Sequence, residues 1–307
     1  MRIVKNTKID FIKYSKSAVT LSAILILSGV FSLISNKGPK LSIDFNGGTL
    51  IAVQYKKDIN LNSIRTGLKE IEINGQIFDF SKSEIKNFGN NSAVSLRIAN
   101  LENEPENFSE TLINILKKIH PNNIPNNPDD FVLSIEKVGP KIGSELSGKA
   151  LMAILYAIIL ILIYISIRFE FIYAIGAIAA IFHDVIITLG IFSILEYEIS
   201  LAIIAAFLTI VGYSLNDTIV IFDRIRENMK TLKRQDVSKI VNQSINESLS
   251  RTVVTSLTTL FVVLTLYLFG GNVLQYFSFA MIIGVMVGTY SSIFIASNIV
   301  VYMNKKS

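Results

Sequence analysis

Six long apolar runs alternate with charged or polar segments along this 307-residue chain. The first is Ser17–Ser35, followed after a long polar interval by Ser147–Ile167, Phe171–Leu195, Ile199–Phe222, Thr252–Phe269 and Val273–Met303. Each is near or above the ~20 residues that a helix needs to cross the hydrocarbon core of a bilayer. The pattern predicts an α-helical polytopic membrane protein with six transmembrane helices. The first helix is 17–35 and helices two to six lie within 148–303, flanked by short ends at 1–16 and 304–307. The basic lead (Arg2, Lys5, Lys8, Lys13, Lys16) before the first run also suits a signal peptide. No small-x-small cleavage site follows and the run is long enough to span, so an uncleaved first helix is expected.

The interval 36–147 has another texture. It is rich in Lys, Glu, Asp and Asn and holds no spanning run. Residues 49–55, 75–81, 92–98 and 130–138 read as strands, several with alternating apolar positions. Residues 61–73 have helical spacing through Leu61, Ile64, Leu68 and Ile71, and 105–120 through Phe108, Leu112, Ile115, Leu116 and Ile119. The order strand–helix–strand–strand–helix–strand predicts an α+β ferredoxin-like domain between the first and second spans. Fold alone gives it no activity.

Composition agrees: half the residues are hydrophobic and 17% are charged. The net charge of +5 comes from basic residues clustered beside the spans. Their bias places both termini and the loop 223–250 in the cytoplasm and the ferredoxin-like domain outside it. There is no aromatic–basic platform, so no nucleic-acid partner is expected. The absence of cysteine rules out disulfides and thiolate metal sites; no metal, cofactor or enzymatic activity is expected.

The candidate chemistry lies inside the apolar runs. Asp217, beside Asn216, interrupts the fourth run, and a charge there costs at least about 3 kcal/mol. Arg251 opens the fifth run and is followed by Thr252, Thr255, Ser256, Thr258 and Thr259. Adjacent spans run antiparallel, so Asp217 and Arg251 fall at similar depth. A carboxylate that alternates between protonation and pairing with a guanidinium can carry a proton. A static ion pair pinning two helices is the bland alternative, and the hydroxyls equally suit bonds to their own backbone. His183 and Asp184 sit in the middle of the third run; a proton shuttle and a helix-packing histidine paired to a neighbour both fit. Gly284-x-x-x-Gly288 reads as a packing face. Asp223, Arg224, Arg226 and Glu227, at helical spacing, read as a solvated connector with local pairs.

In order along the chain stand Ile43-Asp44-Phe45-Asn46-Gly47-Gly48-Thr49, Val138-Gly139-Pro140-Lys141-Ile142-Gly143-Ser144-Glu145-Leu146 and Phe182-His183-Asp184. Gly212-Tyr213-Ser214-Leu215-Asn216-Asp217-Thr218, Phe222-Asp223-Arg224-Ile225-Arg226-Glu227-Asn228 and Ser250-Arg251-Thr252 follow. Together, over essentially the whole length, these resemble the SecD/SecF family of bacterial protein-export membrane subunits, on the SecF side. The resemblance implies membership of the resistance–nodulation–division superfamily and a place in the bacterial inner membrane with a periplasmic domain. It implies pairing with SecD, which supplies a second six-span half, and work beside the SecYEG translocon. There the proton-motive force would promote the late stages of preprotein export. It further implies that Asp217 is the proton-relay aspartate and Arg251 its partner; Asn216, His183, Asp184 and Thr255 are accessory polar candidates. Protonation of Asp217 would tilt the exterior domain, with a rigid 138–146 connection into the second span transmitting the motion. One rival is half of a small-molecule/proton antiporter. Another is an intramembrane aspartyl protease built on Asp184 and Asp217, which requires two carboxylates sharing a proton.

Overall fold

The structure is a computed structural model that describes residues 7–73, 75–101, 104, 105, 107–232 and 234–306. Arg2 and Lys5 of the basic lead lie outside the described residues. Along the chain, α1 (Ser15–Ser35) is followed by α2 (Ile43–Asn46), β1 (Gly48–Gln54), α3 (Leu61–Gly67), β2 (Ile71–Ile73), β3 (Gln76–Phe78), β4 (Glu84–Phe88), β5 (Asn90–Ile98), α4 (Phe108–Ile119) and β6 (Val132–Val138). Then come α5 (Pro140–Arg168), α6 (Phe171–Ile194), α7 (Leu201–Thr231), α8 (Val237–Phe269), α9 (Gly271–Ser291), a π turn (Ser292–Ala296) and α10 (Ser297–Lys306). The chain forms two compact units, Leu41–Ala150 and Met1–Lys40 with Leu151–Ser307.

The smaller unit carries an antiparallel sheet in the order β4-β5-β1-β6, the ferredoxin-like arrangement. Ile51, Val53, Val94 and Leu96 of the sheet pack against Ile64 of α3 and Phe108, Leu112 and Leu116 of α4. Two elements differ from the sequence expectation. The helix expected over 61–73 stops at Gly67; the chain turns through Glu70 at φ 51°, and Ile71–Ile73 becomes a strand paired with β3. Ile64, Leu68 and Ile71 still reach one core, which is why their spacing looked helical throughout. The sheet strand expected at 75–81 is instead β4, an edge strand in which Ile85 is buried while its neighbours are partly or fully open. One buried residue leaves almost no alternation to read.

Gly47 and Gly48 open β1 with φ of +70° and +129°, the left-handed region that favours glycine. A Cβ on Gly47 would collide with the Asn100 side chain, and one on Gly48 with the Ile98 carbonyl. Across the unit, buried Tyr55 donates its hydroxyl to the Leu116 carbonyl at 3.0 Å, tying β1's end to α4.

The larger unit contains six helices long and apolar enough to cross a membrane. The sixth runs through α9, the π turn and α10. Half of the most apolar window of α6, of α7 and of the sixth span is buried, against 11% for α1, α5 and α8. The first three therefore form the centre of the bundle and the other three its rim. The segment 223–250, expected as a loop, is helical over 223–231 and 237–250, because α7 and α8 continue well past their apolar runs. Its charges are locked between elements: Arg168 clasps Asp223 at 2.9 and 3.0 Å, and Arg224 reaches Glu247 at 3.1 Å. Local pairs also form, Arg224 with Glu227 at 2.7 Å and Arg226 with Asp223 at 3.8 Å. Helix α1 meets α6 at crossed glycines: a Cβ on either Gly29 or Gly190 would lie 2.7 Å from the other's Cα.

Burial pushes the Tyr55 phenol above its ordinary range. The folded chain keeps that proton while unfolded tyrosine loses it near pH 10, so this contribution to stability falls as pH rises above about 10. Tyr55→Phe should cost about 1 kcal/mol at neutral pH and flatten that alkaline decline, as read by denaturation midpoints across pH. Gly190→Ala should cost about 1–3 kcal/mol by overpacking, seen as a lower thermal midpoint of the detergent-solubilised chain.

Candidate functional site

Helices α7 and α8 leave a short connector in opposite directions, and Asp217 and Arg251 each lie about four turns from it. Asp217 is 2% exposed. Its Oδ2 is buried and has no hydrogen-bond partner among the described residues. Its Oδ1 faces the Thr255 hydroxyl at 3.5 Å, beyond the normal range for such a bond. Thr255 has one proton to give, and the carbonyls of Arg251 and Thr252 lie closer, at 3.0 and 2.9 Å. Thr258 and Thr259 likewise turn back on their own helix, and Ser256 is engaged by the Thr252 carbonyl and by Thr289 of α9, each at 2.7 Å. The hydroxyl-rich face of α8 thus gives Asp217 almost no donor. Buried Thr218 Oγ1, Thr252 Oγ1 and the Tyr213 hydroxyl also lack partners among the described residues. The static ion pair of the bland alternative is not formed: among the described residues no salt bridge within 4.0 Å joins Asp217 to Arg251, and Arg251 is exposed.

Asp184 presents the opposite case. It is 1% exposed, and every side of its carboxylate is met. Oδ1 lies 2.8 Å from His183 Nδ1, while Oδ2 accepts from Ser214 of α7 at 2.5 Å and Ser291 of α9 at 2.8 Å. The other nitrogen of His183 meets Ser22 of α1 at 2.8 Å. Ser22 in turn lies 3.1 Å from the Tyr290 hydroxyl, which donates to the Ala18 carbonyl. The chain of contacts joins α1, α6, α7 and α9. His183 is thus hydrogen-bonded to Asp184 beside it and, across the helix interface, to Ser22.

The structure brings Asp217, Thr255 and Arg251 to one region of the α7–α8 interface and joins His183 to Asp184. It leaves Asn216 exposed on the surface of α7. No hydrogen bond links Asp184 to Asp217 among the described residues, so the shared-proton geometry of an aspartyl protease is not formed. Gly284 and Gly288 are a packing face, as expected: a Cβ on the first would strike Ile210, and on the second would come within 3.0 Å of Ser214. Ser22, Ser214, Tyr290 and Ser291 escaped sequence reasoning as members of the Asp184 network. The available signal was the Tyr290-Ser291-Ser292 cluster in the sixth apolar run.

Fold and site define a six-span membrane protein with an inserted ferredoxin-like domain and a donor-poor carboxylate inside the bundle. Comparison with known proteins gives the class a name. The family model described as protein export membrane protein SecD/SecF, C-terminal, matches residues 120–306, and the SecD/SecF GG motif matches 32–59. This chain belongs to the SecD/SecF family. It is 48% identical over 305 residues to the protein translocase subunit SecF of Calditerrivibrio nitroreducens, covering 98% of this chain and 96% of that protein. The corresponding subunit of Rhodothermus marinus is 40% identical over 313 residues, with 100% and 97% covered. Among solved structures it is similar to SecDF, a translocon-associated membrane protein from Thermus thermophilus, with a TM-score of 0.85 and 36% identity. The match covers 99% of this chain and 40% of that one, so the chain spans about two fifths of the solved SecDF chain.

The two aspartates should respond differently to substitution. Asp184→Ala strands Ser214, Ser291 and His183 and should cost about 3–5 kcal/mol. Asp217→Asn removes no formed pair and should leave the thermal midpoint of the solubilised chain unchanged or higher.

Proposed function

We propose that this chain is the SecF-type accessory subunit of the Sec protein translocase. With SecD, it uses the proton-motive force to promote late stages of preprotein export through SecYEG. Asp217 is the proton relay and Arg251 its mobile partner. The observation that carries this reading is Asp217 itself, fully buried with one oxygen unpartnered and the other 3.5 Å from a donor already engaged elsewhere. A carboxylate in that position must take up a proton, admit water or draw in a cation. Arg251, exposed and unpaired among the described residues, is the cation within reach of the same stretch of α7. The long arginine stem allows its head to move between solvent and interior. Protonation and pairing are then alternatives, and each favours a different packing of α7 against α8. A proton crossing 100 mV delivers about 2.3 kcal/mol, the scale of ordinary two-state conformational changes.

In this reading both termini and the charged segment between the fourth and fifth spans lie in the cytoplasm of a bacterial cell, and the ferredoxin-like unit lies in the periplasm. The family relationship supports SecD as partner, and the match to two fifths of a SecDF chain accords with one half of a larger transporter. No hydrolytic step is assigned. The antiporter alternative calls for a substrate cavity with polar groups that recognise its cargo. The cavity between α5, α6 and α7, of about 110 Å³, is lined by apolar residues such as Ile158, Ile181, Phe182 and Phe207. It offers no such recognition.

Vesicles holding this chain with SecD and SecYEG test the proposal. Asp217→Asn should abolish the proton-driven part of preprotein export, lowering its rate about tenfold or more, equivalent to roughly 1.4 kcal/mol or more of added barrier. Proton flux should fall with it while complex assembly is preserved. Persistence of both export and flux would make Asp217 a structural residue and end this reading.

A further inference from the structure

The Asp184 network is not needed to hold a proton at Asp217, yet it links the helix bearing Asp217 to the helix that leads into the ferredoxin-like unit. Ser214 precedes Asp217 by three residues, so the two share one face of α7. Ser214 is bound to Asp184 at 2.5 Å, Asp184 to His183 at 2.8 Å, and His183 to Ser22 of α1 at 2.8 Å. Ser22, Asp184 and Ser214 are each no more than 3% exposed, and His183 6%. Water therefore does not compete for these bonds, and a shift at one end must be accommodated by the others.

Helix α1 is well placed to receive such a shift. Beyond Ser22 it is held to α6 at the Gly29–Gly190 crossing, by Ser32 to Ser193 at 2.9 Å, and by Asn36 to the Ser193 carbonyl at 3.2 Å. A few residues later the chain enters the smaller unit at Leu41. The other covalent route, through 138–146 into α5, is poorly suited. Helix α5 packs against the bundle core at Ile161 and Ile165, in its last turns, and the stretch 154–158, nearer the smaller unit along the chain, borders an apolar cavity against α6 and α7. A register change in the sixth span adjoins the network. Ser291 donates to Asp184, and the π turn begins at the next residue, with the Ser297 hydroxyl reaching back to the Ser292 carbonyl. Such turns are local strain points that frequently accompany function.

We infer that Ser214–Asp184–His183–Ser22 is the coupling link that carries the state of Asp217 to α1, and through α1 to the ferredoxin-like unit. These are positioning residues that act through Asp217 and do not carry its proton. The inference rests on the reading of Asp217 as the proton site.

The test uses the two ends of the link, Ser22→Ala and Ser214→Ala, with the double variant and Asp217→Asn run beside them. Proton flux and preprotein export are measured per assembled complex in vesicles with SecD and SecYEG. A coupling link predicts that both single variants keep proton flux but lose export by about three- to tenfold, the range of substitutions along an energetic connection. The double variant should then be no worse than the poorer single one, since both cut the same chain. The inference is overturned if export is unchanged, if flux falls in step with export, or if the two losses multiply. Failure of one variant to assemble leaves the other end to decide. Asp217→Asn separates the two readings. If it abolishes flux while the serine variants leave export intact, the link fails and the proton site stands; if flux survives, the proton site itself fails.

Discussion

A carboxylate removed from water has to be met by donors, protonated or approached by a cation, and this bundle answers that demand in two ways. Asp184 is surrounded: a histidine nitrogen and two serine hydroxyls from three helices converge on it. Asp217, on the next helix and just as deeply buried, is left with an orphan oxygen. The environments are chemically alike, since serine and threonine abound near both. What differs is where the hydroxyl protons go. Ser214 and Ser291 reach Asp184 across helix interfaces, while Thr255, the hydroxyl facing Asp217, lies closer to carbonyls of α8. A satisfied carboxylate fixes one arrangement of helices. An unsatisfied one adds no such bonds, so it ties no helix in place by its own contacts.

The surrounding architecture serves that contrast. Glycines at Gly284 and Gly288 bring α9 hard against α7 beside Ile210 and Ser214, which sets the distance at which Ser291 and Ser214 can both reach Asp184. At the far end of α7, Phe169, Tyr173 and Phe222 pack edge to face, and the Arg168–Asp223 clasp holds the α5–α6 turn to α7. The charged motif from Asp223 to Glu227 therefore acts as a fastening of helix ends. Its periodicity suggested only local pairs, because nothing in one helix's spacing reveals that Arg168 and Glu247 lie opposite.

Much of the fold was legible in the sequence because lipid imposes a simple rule. Every backbone group must be satisfied within its own segment, so long apolar runs can only be helices. The six spans and the ferredoxin-like strand order follow from periodicity and order alone. What escaped was set by edges and by partners. β4 has a single buried residue and so no alternation, and α3 ends early although its apolar spacing continues to Ile71. Asp217 was visible because a lone carboxylate in an apolar run is costly wherever it points. Its lack of donors, and the full complement at Asp184, depend on the directions of hydroxyls on other helices. A serine such as Ser22 carries no mark of that role in its own neighbourhood.

The distribution of burial bears on whether six helices are the whole of the working bundle. Helix α7 is central, yet one stripe of it, Ala205, Thr209, Gly212 and Asn216, stays exposed. A Cβ added at Gly212 would meet nothing within 4 Å. Arg251 is exposed on the adjoining helix. An amide and a guanidinium left facing lipid within apolar helices would be costly, whereas small residues flanking polar ones are what helices use to approach one another closely. The stripe therefore has the character of a contact surface for further helices, and it lies on the helix that carries Asp217.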